Sequence, residues 1–231
     1  MSRAHISYTP AALVQLFRGC SRKRLLKKSD WITPYCETPK CLFMVLKGTL
    51  RVALSNSQND GIVCIRHLKP GDVFGEQGLF DSAPMQLATA AIQARSEVEL
   101  VAVTHEDLKR AAQIDQRLYA ELSTHINERL GETTDKLMQL IFDNLEQRCY
   151  QSLVEITRLP DAMTHPDGMQ ITVTRIELAQ MIGCNRESAG KALKALRDKG
   201  MIEVTARTIV VYGIRHGLAF SVKRTNVVEC V

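Results

Sequence analysis

The chain changes its hydrophobic rhythm twice. From Trp31 to Val103 it runs in short apolar stretches broken by Gly and Pro: Leu42 to Leu46, the pair Lys47-Gly48, then the alternating Leu50-Arg51-Val52-Ala53-Leu54. The polar stretch Ser55 to Gly61 predicts a hairpin loop, answered by a returning strand at Ile62-Val63-Cys64-Ile65. Pro70-Gly71-Asp72 is a further turn, and Leu87 to Ile92 and Val98 to Val103 add strand-like runs. Many short strands with frequent turns predict a barrel, roll or sandwich.

Near Thr104 the pattern becomes helical. Thr104, followed by His105, Glu106 and Asp107, reads as a hydroxyl cap with acid in the first turn. From there to about Glu146 there is no Pro and a single Gly, while Leu118, Leu122, Ile126, Leu130, Thr133, Leu137 and Leu140 recur three and four apart. This predicts one long helix over 105–143, whose stripe needs cover from a partner helix or from its own β domain. The expected organisation is α+β: a β domain over 1–104, the helix, and a second domain over 144–231.

In that second domain the turn-rich Leu159 to Gly168 leads to an alternating strand, Met169 to Val173. Thr174 with Glu177 three residues on is a capping box, opening a helix that Gly183 breaks. A second helix runs from Cys184-Asn185-Arg186 to Lys199 and closes at Gly200. Two short helices across a Gly turn have the spacing of a helix-turn-helix, whose second helix enters the major groove. On it Arg186, Glu187, Gly190, Lys191 and Lys194 share one face, while Ala189, Leu193 and Leu196 turn inward. Arg186 and Lys191 suit guanine O6 and N7, and Glu187 can accept from cytosine N4. Thr174, Arg175 and Lys194 are placed for phosphates. A charged, solvated helix face would look similar, but the strand pair Met201 to Val204 and Arg207 to Val211 completes a winged arrangement.

Composition narrows the alternatives. A chain of 231 residues, 45% hydrophobic, is long enough for two cores, and a net charge of +5 permits an anionic partner without demanding one. No apolar run approaches the roughly 18 to 20 residues that span a bilayer, and Met-Ser-Arg-Ala-His lacks the order of a secretory signal, so a cytoplasmic protein with no membrane partner is expected. Cys20, Cys36, Cys41, Cys64, Cys149, Cys184 and Cys230 are odd in number and scattered, which fits reduced thiols and not an iron–sulfur ligand set. His105, His125 and His165 accompany no nucleophile motif, phosphate loop or metal-spaced cluster, so neither an enzyme nor a metal site is expected.

From about Phe17 to Arg215 the chain resembles the cyclic-AMP receptor protein (CRP/FNR) family. Pro160 to Gln170, Gly183-Cys184-Asn185-Arg186-Glu187 and Thr208 to Gly213 look very much like the enterobacterial receptor, and Pro70-Gly71-Asp72 with Gly75-Glu76-Gln77-Gly78-Leu79-Phe80 looks like the family's phosphate-binding cassette. The resemblance implies a cyclic-nucleotide-binding-type β-roll (jelly roll), a long dimerisation helix and a C-terminal winged helix-turn-helix. It further implies a homodimer on a two-fold site of double-stranded DNA, with half-sites like TGTGA roughly 34 to 36 Å apart. One base-reading arginine of the family falls at Lys191, whose point-like ammonium does not reproduce a guanidinium fork. Thr164, His165 and Gly168 would face the RNA polymerase α subunit, pointing to an activator.

The effector pocket departs from the family. In cyclic-AMP-binding members an arginine followed by serine or threonine pairs with the cyclic phosphate; read without gaps from Gly75, those positions are Gln86 and Leu87. Losing that partner in a desolvated site costs about 2 to 5 kcal/mol, which puts ordinary cyclic-AMP binding in doubt. Glu76 remains able to accept from a ribose hydroxyl, and Thr133 and Thr134 match the pair that meets the base. An altered cyclic-nucleotide site, a cyclic-dinucleotide site and effector-independent action all stay open, and the cofactor is unassigned. The contrasting class is a nucleotide-sensing β-roll interaction module without sequence-specific DNA readout.

Overall fold

The computed structural model describes residues 11–19, 22–32, 40–56, 61–76, 79 and 90–215. Gln86, Leu87, Cys20, Cys36, Cys230 and the stretch after Arg215 lie outside the described residues.

Among the described residues a short helix α1 (Ala11–Arg18) precedes eight strands: β1 (Lys23–Leu26), β2 (Trp31–Ile32), β3 (Cys41–Lys47), β4 (Leu50–Asn56), β5 (Gly61–Leu68), β6 (Val73–Phe74), β7 (Ala90–Ala94) and β8 (Val98–Thr104). They form two antiparallel sheets, ordered β1-β8-β3-β6 and β2-β7-β4-β5. Their facing sides enclose Phe43, Val45, Leu50, Val52, Leu68, Phe74, Ile92 and Leu100, with the Phe43 and Phe74 rings stacked at 5.2 Å. This is the expected roll. The other face of the first sheet packs Leu42, Met44, Val101 and Val103 against Leu13 and Phe17 of α1, which explains why β3 is apolar on consecutive rather than alternate positions.

The single helix expected over 105–143 is two helices, α2 (His105–Ile114) and α3 (Arg117–Phe142). Thr104 caps α2 as predicted, its hydroxyl accepting from the Asp107 N–H. The break comes at Asp115, which leaves helical geometry at φ −124° and ψ 94° and turns its carboxylate onto the backbone N–H and guanidinium of Arg117. An aspartate that can cap the next helix offers the backbone an alternative to continuing, a choice apolar periodicity does not register.

The apolar stripe also divides. Leu118 and Leu122 are buried on the roll beside Leu13 and Phe17, whereas Leu130, Leu137, Met138, Ile141 and Phe142 are exposed. The first half of the stripe is covered by its own β domain and the second half is exposed.

Beyond α3 lie α4 (Leu145–Ile156), β9 (Met163–His165), β10 (Gly168–Thr172), α5 (Arg175–Ile182), α6 (Arg186–Asp198), β11 (Ile202–Thr205) and β12 (Thr208–Tyr212). Asn144 opens α4 with a capping box to Gln147. The four strands form one antiparallel sheet, β11-β12-β10-β9, and Leu153, Ile156, Ile171, Leu178, Ile182, Leu193, Leu196 and Ile209 close a core against the three helices. Among the described residues no helix is long and apolar enough to cross a membrane.

Candidate nucleic-acid interface and effector pocket

Helices α5 and α6 are set by local chemistry before they are set by packing. The Thr174 hydroxyl accepts from the Glu177 N–H at 3.1 Å and the Glu177 carboxylate accepts from the Thr174 N–H at 2.8 Å. Burial opposes the Glu177 charge, yet the Thr174 amide and hydroxyl hold its carboxyl below the usual range. Gly183 stops α5 in the left-handed region at φ 65°, and Asn185 caps α6 by accepting from the Ser188 N–H at 2.8 Å.

The buried face of α6 carries Ala189, Ala192, Leu193 and Leu196, which fixes its rotation. Arg186, Glu187, Lys191 and Lys194 are thereby exposed along the other side, and an added Cβ at Gly190 would meet nothing within 4 Å. Arg175 is exposed at the start of α5, while Thr174 is half-buried and engaged in its cap. The arrangement is a row of cations with open access and one carboxylate among them, backed by a rigid apolar contact, which is what a major-groove reader requires.

The roll is docked onto this domain. Arg51 on β4 donates from Nη1 to Gln180 Oε1 of α5 at 2.6 Å and from Nε to Gln93 Oε1 at 2.7 Å, with its guanidinium 6.0 Å from the Trp31 ring centre. Arg95 donates to the Thr172 carbonyl at 3.3 Å and lies 3.8 Å from Asp161. Beside these contacts Cys64 of β5 enters the core of the second domain; burial pushes its thiol up to about 11. His67, also beneath the junction, is pushed down to about 3 by burial and then by the Arg95 cation, so it is neutral. An open cleft of about 420 Å³ separates Ile62 and Val63 from Ile176, Gly183 and Arg186. Arg95→Ala should loosen this docking. Loss of a charged hydrogen bond of about 1.5–3 kcal/mol raises the local open fraction roughly 10- to 100-fold, so alkylation of Cys64, followed on its own peptide by mass spectrometry, should speed up by that factor.

In the roll, Glu76 is buried and paired with Arg129 of α3 at 2.5 Å. His125 meets the Val73 carbonyl at 2.9 Å and His105 the Gly75 carbonyl at 2.8 Å, so two histidines and an arginine hold the Val73 to Glu76 segment against the helices. Thr133 and Thr134 are exposed on α3, their hydroxyls donating to the Arg129 and Leu130 carbonyls. The structure thus places Gly75 and Glu76 beside Arg129, with Thr133 and Thr134 one turn further along α3.

In the β9–β10 connection Thr164 is exposed and His165 half-buried, its Nδ1 accepting from the Asp167 N–H at 3.3 Å. Gly168 is buried: an added Cβ would sit 2.0 Å from the Val211 carbonyl, so only glycine permits β10 to pair with β12 there. Sequence reading missed Arg51, Arg95 and Arg129. Their signal was the four-residue step from Arg129 to Thr133 and the outward register of β4, neither of which identifies a partner.

Comparison with known proteins gives this geometry its setting. Residues 23–115 match a cyclic nucleotide-binding domain and residues 147–214 a Crp-like helix-turn-helix domain. Over 91% of its length the chain is 35% identical to the cAMP-activated global transcriptional regulator Vfr of Pseudomonas aeruginosa, covering 99% of that protein. The chain belongs to the CRP/FNR family. It is also 36% identical, over 78% of its length and 84% of the relative, to the cAMP-activated global transcriptional regulator CRP of Pasteurella multocida. The c-di-GMP-responsive global regulator CLP of Xanthomonas campestris shares the fold at a TM-score of 0.75 and 27% identity, over 88% of this chain and 99% of that one. The protein is a DNA-binding transcription regulator of the CRP/FNR type, and a β-roll module without DNA readout is not favoured.

Proposed function

We propose that this CRP/FNR regulator acts as a cytoplasmic homodimer on palindromic double-stranded DNA with half-sites like TGTGA. The observation that carries the reading is the open basic face of α6 together with the exposed apolar row on α3. Arg186, Lys191 and Glu187 read base edges, and Thr174, Arg175 and Lys194 hold phosphates. Lys191 gives relaxed or shifted preference at its base pair, since an ammonium lacks the fork that fits guanine. Two copies joined along α3 present two such helices, which matches a two-fold site.

Thr164 and His165, on a turn that Gly168 holds in place, form the contact with the RNA polymerase α subunit, and the protein activates transcription. The chain works by binding and no catalytic step is assigned to it. Two of the relatives are named for cyclic AMP and one solved neighbour for c-di-GMP, and the roll is an effector domain in which Gln86 and Leu87 leave the usual phosphate position without a charged partner. Response to cyclic AMP in its ordinary mode is therefore lost.

Binding of the purified protein to a TGTGA palindrome and to a scrambled duplex, at fixed near-physiological salt with and without cyclic AMP, tests this. Preference for the palindrome that cyclic AMP leaves unchanged is expected. Preference that appears only with cyclic AMP would show that cyclic AMP still acts as an effector of this chain, and equal binding to both duplexes would remove the half-site assignment.

A further inference from the structure

Strand β5 carries an arginine on the wrong side of the sheet. Leu50 pairs with Leu68 and Val52 with Arg66, so Arg66 shares the face on which Leu50, Val52 and Leu68 build the core of the roll. Arg51 and His67 pair on the opposite face, toward the second domain. The register slips between Val52 and Ala53, with Ile65 as the extra residue, and this bulge re-aims the strand at the point where Arg66 turns inward.

Once inside, Arg66 is poorly matched. Its side chain is 12% exposed and its Nη2 has no hydrogen-bond partner among the described residues. The carboxylate facing it, Glu132, is 3.7 Å from Nη1 and half-exposed, while the buried carboxylate Glu76 is engaged by Arg129. Burial, and next the Arg129 cation, push the Arg66 guanidinium down to about 10. Two guanidinium groups therefore meet one buried carboxylate. An arginine held like this in a low-dielectric interior costs stability unless something completes its hydrogen bonding, and groups kept at such a cost mark functional sites.

We propose that Arg66 and Arg129 form an anion subsite inside the roll that holds the monoanionic phosphodiester of a nucleotide effector, from the β5 and α3 side of the pocket. Glu132 meets Nη1 from the half-exposed side, so the buried Nη2 edge is what is left for an anion, and a phosphodiester brings a single negative charge on two free oxygens. The free Nη2 edge of Arg66 fits two phosphate oxygens, the geometry that favours arginine over lysine. The ligand thus finds its charge partner on β5 and α3 and needs none from residues 86 and 87. This deepens the reading of the roll as an effector domain and does not depend on DNA recognition.

Titration calorimetry on the DNA-free full chain tests it, with cyclic AMP and cyclic di-GMP as the phosphodiester probes and adenosine as the uncharged control. At least one phosphodiester is expected to bind saturably and adenosine not to; which one binds identifies the source. Arg66→Met should weaken that binding about 10- to 100-fold, the range for one lost charge-assisted hydrogen bond. Its ligand-free melting temperature should stay level or rise, because the substitution removes an unmatched charge and keeps the side-chain volume. Arg66→Lys, with the charge but not the fork, should fall between. Binding of neither probe by the wild type, or equal binding by R66M, overturns the proposal, as does a melting temperature for R66M well below wild type, which would make Arg66 structural. Should R66M not fold, equal binding by R66K and wild type overturns it. Failure of the TGTGA preference would leave this result standing.

Discussion

Arg186→Ala should abolish discrimination between the palindrome and a scrambled duplex while leaving non-specific binding nearly intact. Arg186 is the first residue of α6, exposed beside the Asn185 cap, and the helix is fixed in rotation by Ala189, Leu193 and Leu196 at its back. A bidentate contact to guanine contributes about 1–3 kcal/mol, and a two-fold complex contains it twice, so specific affinity should fall by roughly 30-fold to 10⁴-fold. Lys194→Ala provides the contrast. A phosphate contact carries no sequence information, so its loss should weaken both duplexes alike and flatten the salt dependence by about 1 for each copy of the contact. Gel shift at three or more salt concentrations separates the two. Equal losses on both duplexes for Arg186→Ala would mean that Arg186 positions the helix and another residue reads the base.

The contrast between these side chains was legible in the sequence because helix-turn-helix signals are local. The Thr174 and Glu177 box, the Gly183 stop and the 3.6-residue repeat through Leu193 and Leu196 are each set within a few residues, and each reappears in the structure. The strands β3, β4 and β5 were visible for the same reason. Features that depend on distant partners were not. The break at Asp115 arises from a carboxylate choosing Arg117 over continued helix, and β1, β2 and β6 are too short to hold a period of two. Period-two alternation places Arg66 opposite Val52 only if the register is known, and the slip at Ile65 hides it. Arg51 and Arg95 read as ordinary strand-face cations until a second domain supplies Gln180 and the Thr172 carbonyl. Sequence thus located the exposed basic face of α6 by local chemistry, and left open how the roll is charged inside, because Arg66 and Arg129 lie more than sixty residues apart along the chain.

The same division governs α3, where a charge placed in the exposed half of the stripe should separate the dimer. Leu137 is 55% exposed in the isolated chain and lies in line with Leu130 and Ile141, while Leu118 and Leu122 further up the helix are already buried. Leu137→Glu therefore removes apolar cover from the seam without touching the core of either domain, and the monomer should keep its secondary structure by circular dichroism. Full burial of a leucine is worth about 1.5–3 kcal/mol, of which roughly half is left for Leu137 to gain, and two-fold symmetry brings the change in twice, so dimer dissociation should rise roughly 10- to 300-fold before the desolvation of two facing carboxylates is added. Sedimentation equilibrium in the micromolar range should show a monomer where the wild type is a dimer. Because a single recognition helix reads only one half-site, affinity for the palindrome should collapse while affinity for an isolated half-site stays near the wild-type monomer contribution. A Leu137→Glu protein that remains dimeric would place the two-fold axis elsewhere on the molecule, and the exposed row from Leu130 to Phe142 would then need a different cover.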